Sequence, residues 1–149
     1  MKIIDEYTDR NNNHHKIVYI KNIHSTPYRE WFLQTCKEVI EHGHAYDVWD
    51  YSNIKYSSII WLKNDEPFLH FSFVIQRRYK MLADIFIYAS PEARYKKYPL
   101  KLIEYAKQWG KENGFVCSSG LIHIDNKQSI NFWEKIGGKK PFYFAIIDF

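Results

Sequence analysis

Three strand-like segments follow one another between Ser57 and Ala89 with no room for a helix between them, and that succession limits the fold more than any other feature of the chain. Ser57 to Asn64 and Phe68 to Tyr79 are rich in β-branched and aromatic residues, which suit a pleated, half-buried surface. The polar Lys63-Asn64-Asp65-Glu66-Pro67 segment between them reads as a hairpin turn, and Met81 to Ala89 follows almost at once as a third strand. Strands joined this closely run antiparallel, because a parallel crossover needs a dozen or more residues. A two-residue alternation in the third strand puts Leu82, Asp84, Phe86 and Tyr88 on one face and Ala83, Ile85, Ile87 and Ala89 on the other. Asp84 is then the one carboxylate on an otherwise aromatic and aliphatic face.

Helical patterns flank this meander. Lys16 to Lys21 reads as a first strand after the polar Asn11-Asn12-Asn13-His14-His15 stretch. Ser25-Thr26-Pro27 signals a helix start, and Tyr28, Trp31, Phe32, Thr35, Cys36 and Val39 recur at helical spacing until Gly43. Pro91 to Tyr98 reads as a loop, after which Leu102, Ile103, Ala106 and Trp109 form an apolar stripe that closes at Asn113-Gly114. Phe115 to Ile124 reads as a strand, and Asp125 or Asn126 caps a short helix carrying Ile130, Trp133 and Ile136, ended by Gly137-Gly138. Pro141 to Phe149 reads as a terminal strand. The order implies one α/β domain over residues 1–149, a mixed sheet with helices on both faces.

Composition narrows the classes of function. A net charge of +4 favours an anionic partner, but the basic residues fall into short clusters, Gln76 to Lys80, Arg94 to Lys97 and Lys139-Lys140, and not into the continuous patch of a dedicated nucleic-acid binder. Cys36 and Cys117 form no spacing motif, no apolar run reaches membrane-spanning length, and the early acidic residues Asp5 and Glu6 argue against a secretory leader. A reduced, cytoplasmic location without membrane contact is the expectation. His14-His15 and His42-x-His44 lack a partner at metal-ligand spacing, so no metal is expected. Trp31, Trp61 and Trp109 fall at apolar-face positions and read as core.

Two stretches carry a family resemblance. Ile85-Phe86-Ile87-Tyr88-Ala89-Ser90-Pro91-Glu92-Ala93-Arg94 resembles the central strand and pyrophosphate-loop lead of the GNAT superfamily of N-acetyltransferases. Asn126 to Gly138 is similar to that family's Asn-x-x-(small)-x-x-Phe-Tyr-Glu-Lys-x-Gly-Phe signature. The resemblance starts near Ser58 and covers ~60% of the chain.

The resemblance implies a mostly antiparallel sheet with one splayed parallel strand pair, and an acetyl-coenzyme A-dependent transfer to a primary amine on a small molecule or protein. It places the pantetheine against the backbone of Ile87, Tyr88 and Ala89, and the pyrophosphate against the loop of Arg94, Tyr95, Lys96, Lys97 and Tyr98. Asn126, Phe132 and Trp133 complete the cofactor side. Asp84 is the first choice for a base, with His70 and His123 behind it, and Tyr143 is a candidate acid. The acceptor side lies around Tyr46 to Tyr56 and in the strand pair before Asp84. A homodimer is compatible with this reading. The chain departs from the family pattern where Lys97 and Pro99 replace loop glycines, since Pro99 has no N–H to donate, and where Trp133 replaces a tyrosine acid. Those departures keep open a second reading, a GNAT-like binding or structural module without catalysis.

Overall fold

The computed structural model describes residues 1–42, 50–94, 96–120, 122 and 126–138. In chain order the elements are β1 (Lys2–Thr8), β2 (His14–Ile20), α1 (Arg29–Glu41), β3 (Ser57–Lys63), β4 (Glu66–Gln76), β5 (Met81–Ala89), α2 (Tyr98–Glu112), β6 (Cys117–Ser118) and α3 (Lys127–Lys135). The six strands lie in sequence order in one sheet, antiparallel from β1 to β5 and parallel between β5 and β6. The mixed α/β class and the antiparallel meander are therefore as expected.

Alternation along β2 and β3 feeds two cores. Ile17, Ile59 and Trp61 face one side, where Leu102, Ile103, Ala106 and Trp109 of α2 cover them and Phe132, Trp133 and Ile136 of the α3 segment pack at the margin. Val18, Ile20, Ile60 and Leu62 face the other, under Phe32 and Cys36 of α1. Trp61 and Trp109 are thus core, while Trp31 packs half-buried against the α1-side cluster. Burial pushes the Cys36 thiol up to about 12, which makes it an inert packing group.

Four elements differ from what the sequence implies. β1 was not anticipated: it pairs with β2 at the sheet edge, and Asp9 to Asn13 is the hairpin turn, held by Asn11 and Asn13 backbone N–H groups donating to the Asp9 carboxylate at 2.8 and 2.9 Å. The first long helix starts at Arg29 and not at Pro27, after a 3₁₀ turn over Ile23–Ser25, because the Thr26 hydroxyl donates to the Ile23 carbonyl at 2.7 Å and turns the chain there. The β3–β4 turn is tighter than the polar stretch suggests; Asn64 and Asp65 both take positive φ (53° and 65°), as a two-residue hairpin requires. In place of the strand expected from Phe115, the described residues give β6 as the exposed pair Cys117–Ser118, and residues 121, 123 and 124 of the expected span lie outside the described residues. The ends proposed at Gly43 and in the terminal strand from Pro141 lie outside the described residues.

A buried polar chain crosses the α1-side core. Thr35 donates to the Phe32 carbonyl at 2.7 Å, so its oxygen accepts from His70 Nε2 at 2.9 Å; Ser72 then donates to His70 Nδ1 at 2.9 Å, and Ser58 shares a 2.7 Å bond with Ser72. Burial lowers the His70 pKa to about 3. The unfolded imidazole binds a proton near pH 6.5, which the folded one refuses until far lower pH, so stability falls as pH drops through that window. Urea midpoints measured at pH 7 and pH 5 are expected to show His70→Gln losing about 2 kcal/mol less than the parent chain over that interval. Identical losses would contradict the assignment of a neutral His70.

Candidate active site

The irregularity in β5 organises the site. Ser72 pairs with Phe86 but Val74 pairs with Ala83, so Asp84 and Ile85 together oppose Phe73. This is a β-bulge, and Asp84 takes a left-handed conformation with φ 48°, which aspartate tolerates better than most residues. The bulge overturns the simple alternation. Leu82, Ile85, Ile87 and Ala89 all serve the α2-side core, whereas Phe86 serves the α1 side and Tyr88 contacts Trp31 and His70 there. Asp84 itself is exposed.

The bulge sits beside the described part of the parallel pair. Val116 N–H bonds to Lys80, Ser119 N–H to Leu82 and Ile85 N–H to Ser119, at 2.8, 2.9 and 3.1 Å; among the described residues the pairing of β5 with the β6 segment extends no further than Ile85. Gly120 passes so close to Ile85 that a Cβ there would lie 2.5 Å from its side chain. Beside Asp84, Tyr51 and Tyr56 form an aromatic wall with Phe86. Burial foremost, then Tyr51 and the Asp84 carboxylate, push the Tyr56 phenol well above its usual range, so it stays protonated.

Beyond Ile87, the C-terminal end of β5 is held by a cluster in which sequence reasoning missed one member, Glu38 of α1. Tyr88 donates its hydroxyl to Glu38 Oε2 at 2.8 Å, and burial, with that bond second, raises its pKa. Arg94 donates from Nε to the Ala89 carbonyl at 2.9 Å, lies 5.6 Å over the Tyr88 ring and approaches Glu38 Oε2 at 3.8 Å. A carboxylate on a helical face at i+3 from another polar position gives no sequence signal of such a contact; only the crossing of α1 over β5 creates it.

The loop that follows carries Lys96 and Lys97, both exposed and without an ion-pair partner among the described residues, and the Ser90 hydroxyl, which is buried without a hydrogen bond. Lys97 is the N-cap of α2 and Pro99 occupies its first turn. The Tyr98 ring does not face the loop; it packs against Phe68, Trp61 and His15. Asn126 caps α3 by accepting from the Ser129 N–H at 3.0 Å, and its amide nitrogen has no hydrogen-bond partner among the described residues. Phe132 and Trp133 meet edge to face at the margin of the α2-side core.

Of the other sequence candidates, His70 is fully buried with both ring nitrogens bonded, which removes it as a base. Tyr95, His123 and Tyr143 lie outside the described residues. His15, buried, bonds through Nε2 to Asp9 at 3.1 Å and through Nδ1 to the Trp61 indole at 2.9 Å, a structural role. No three His, Cys, Asp or Glu side chains come together as metal ligands among the described residues, where no helix is long and apolar enough to cross a membrane.

Residues 12–138 match the sequence pattern of the acetyltransferase (GNAT) family. The fold is similar to aminoglycoside N-acetyltransferase AAC(6′)-Iy in complex with CoA, at TM-score 0.65 and 15% identity over 94% of this chain and 97% of that one. It is similar to the aminoglycoside acetyltransferase meta-AAC0020 from an uncultured soil metagenomic sample, in complex with sisomicin, at TM-score 0.64 and 11% identity over 91% and 95%. A ribosomal-protein-alanine N-acetyltransferase from Brucella melitensis biovar Abortus 2308 gives TM-score 0.64 and 10% identity over 91% and 99%. No curated protein matches the sequence. At these identities the structural likeness is one of fold.

Proposed function

Because the chain belongs to the GNAT acetyltransferase family, we propose that it transfers acetyl from acetyl-coenzyme A to a primary amine of a small molecule or protein, with Asp84 as the base. One observation carries the assignment: the bulge holds an exposed carboxylate on β5 next to Ile85, the last β5 residue bonded to the β6 segment among the described residues. An alkyl amine is an ammonium at neutral pH and attacks a carbonyl only after losing a proton, which a carboxylate within reach accepts directly or through one water.

The residues present suit the cofactor. Acetyl-coenzyme A supplies a thioester whose carbonyl carbon is open to a neutral amine. Ile87 and Ala89, on the same side of β5 as the Ile85 N–H that bonds to Ser119, offer backbone groups to an amide-bearing chain once Arg94 gives up the Ala89 carbonyl, while the Tyr88 backbone is turned to β4. Lys96, Lys97, the orphaned Ser90 hydroxyl and the Asn126 amide provide donors for phosphates. The weak points are Lys97 at the α2 N-cap and Pro99, which removes one of the N–H groups a helix start offers an anion. Trp133 only donates through its indole N–H and cannot serve as the acid, so the departing thiolate takes its proton from solvent or from Tyr143.

The same Pro99, together with an Arg94 already engaged by Ala89 and Glu38, favours the second reading, a GNAT-like binding module. Calorimetric titration of the full chain with acetyl-coenzyme A separates the two. Saturating cofactor, about a hundredfold above Kd, is expected to raise Tm by roughly 5–10 °C. The Lys96→Gln, Lys97→Gln double variant is expected to bind roughly tenfold more weakly. Absence of both heat and thermal shift would transfer the assignment to the binding module.

A further inference from the structure

A shallow, open cavity of about 380 Å³ lies on the surface where β2 gives way to the 3₁₀ turn, lined by Met1, Ile20, Lys21, Asn22, Ser25, Thr26 and Lys55. It is distinct from the phosphate loop. That loop follows the C-terminal end of β5, whereas the register from Ile20 through Ser58 and Ser72 to Phe86 sets the end of β2 toward the opposite end of the sheet.

The lining is built of donors. Lys21 and Lys55 come from different segments and are exposed, their ammonium groups have no hydrogen-bond or ion-pair partner among the described residues, and no carboxylate lines the cavity to neutralise them. Asn22 is fixed twice, accepting at Oδ1 from the His24 N–H at 3.2 Å and donating from Nδ2 to the Ser25 hydroxyl at 2.9 Å. The Ser25 oxygen acts there as acceptor, which leaves its own hydrogen to donate, along with the second hydrogen of the Asn22 amide. Donors held in place before a ligand arrives bind it without the entropy cost of ordering them. Ile20, nearly fully buried, and Met1, 78% exposed, add apolar surface to the same cavity.

We infer that this cavity is a binding site for a small organic oxyanion, a phosphate or carboxylate group on an apolar body, held by Lys21, Lys55 and Ser25. The site is separate from that for acetyl-coenzyme A and does not depend on the chain being an active transferase. Because the lysines are exposed, binding is weak and falls with ionic strength.

Amide chemical shifts of the full chain, titrated with phenyl phosphate, benzoate and benzyl alcohol, test the site. Phenyl phosphate is expected to shift Asn22, Ser25 and Thr26 with saturation, and the Lys21→Gln, Lys55→Gln double variant to bind roughly tenfold more weakly. Lys111→Gln, on the last turn of α2, is expected to bind as the parent does. Tighter binding of phenyl phosphate than of benzoate assigns a phosphate ligand, and the reverse a carboxylate. The inference is overturned if no saturable shift appears at these amides, if the double variant binds as the parent does, or if benzyl alcohol produces the same shifts. Displacement of phenyl phosphate by coenzyme A would overturn the separateness of the site.

Discussion

Replacing Asp84 with asparagine is expected to lower turnover by a factor of about 10² to 10⁴, the range that a positioned base contributes, with little change in coenzyme A affinity. Asparagine is the informative substitution because of the backbone. Asp84 has φ 48°, a region that asparagine shares readily and alanine does not, so an alanine variant would mix lost chemistry with a strained or straightened bulge. The asparagine side chain keeps the shape and loses the ability to take a proton. Rates measured against pH sharpen the result, since a carboxylate base leaves an acidic limb in kcat/KM that the variant should lack. Unchanged turnover in a variant that still binds the cofactor would remove Asp84 from the mechanism.

The second large effect concerns stability. Trp61 is fully buried in the middle of β3, donates its indole N–H to His15 Nδ1 at 2.9 Å, and meets the rings of Tyr7, Tyr98 and Tyr105 edge to face. Trp61→Ala is expected to cost about 3–5 kcal/mol, a large part of the 5–15 kcal/mol that holds a typical domain folded. Two separate losses are involved. Trp61→Phe retains most of the volume and leaves His15 Nδ1 without its donor in a buried position, at a cost of about 1–3 kcal/mol. Urea unfolding of the two variants separates them: equal losses would mean that the hydrogen bond, and not the packing, sets the penalty.

What the sequence revealed follows the strength of the local signals. α2 was legible because Leu102, Ile103, Ala106 and Trp109 mark one buried face and Asn113-Gly114 ends it, with Gly114 at φ 81°. α3 was legible for the same reasons, with Asn126 as its cap and Gly137 at φ 88°. β1 was not, since Lys2 to Thr8 is an edge strand with no clean alternation, and its pairing depends on a hairpin whose turn is set by Asp9 side-chain bonds. The face of Leu82 was misread because the bulge contains no glycine to announce it. His70 appeared as a candidate base because nothing in its own strand reveals that Thr35 and α1 would bury it. Glu38 was invisible for the converse reason, since its partners Tyr88 and Arg94 lie about fifty residues away in sequence.

The bulge has a further implication for how β5 is put together. Three positions separate Leu82 from Ile85, yet both side chains enter the same core, because two residues of β5 stand opposite the single Phe73. Take one of the pair away and an ordinary two-residue step would still deliver Leu82 and Ile85 to the same side, with every later residue of the strand facing as before. Hydrophobic packing therefore gains nothing from the surplus position. A single-residue deletion at Asp84 should leave a foldable protein with a straighter strand, and the acidic side chain sits on the one link of β5 that the interior could do without.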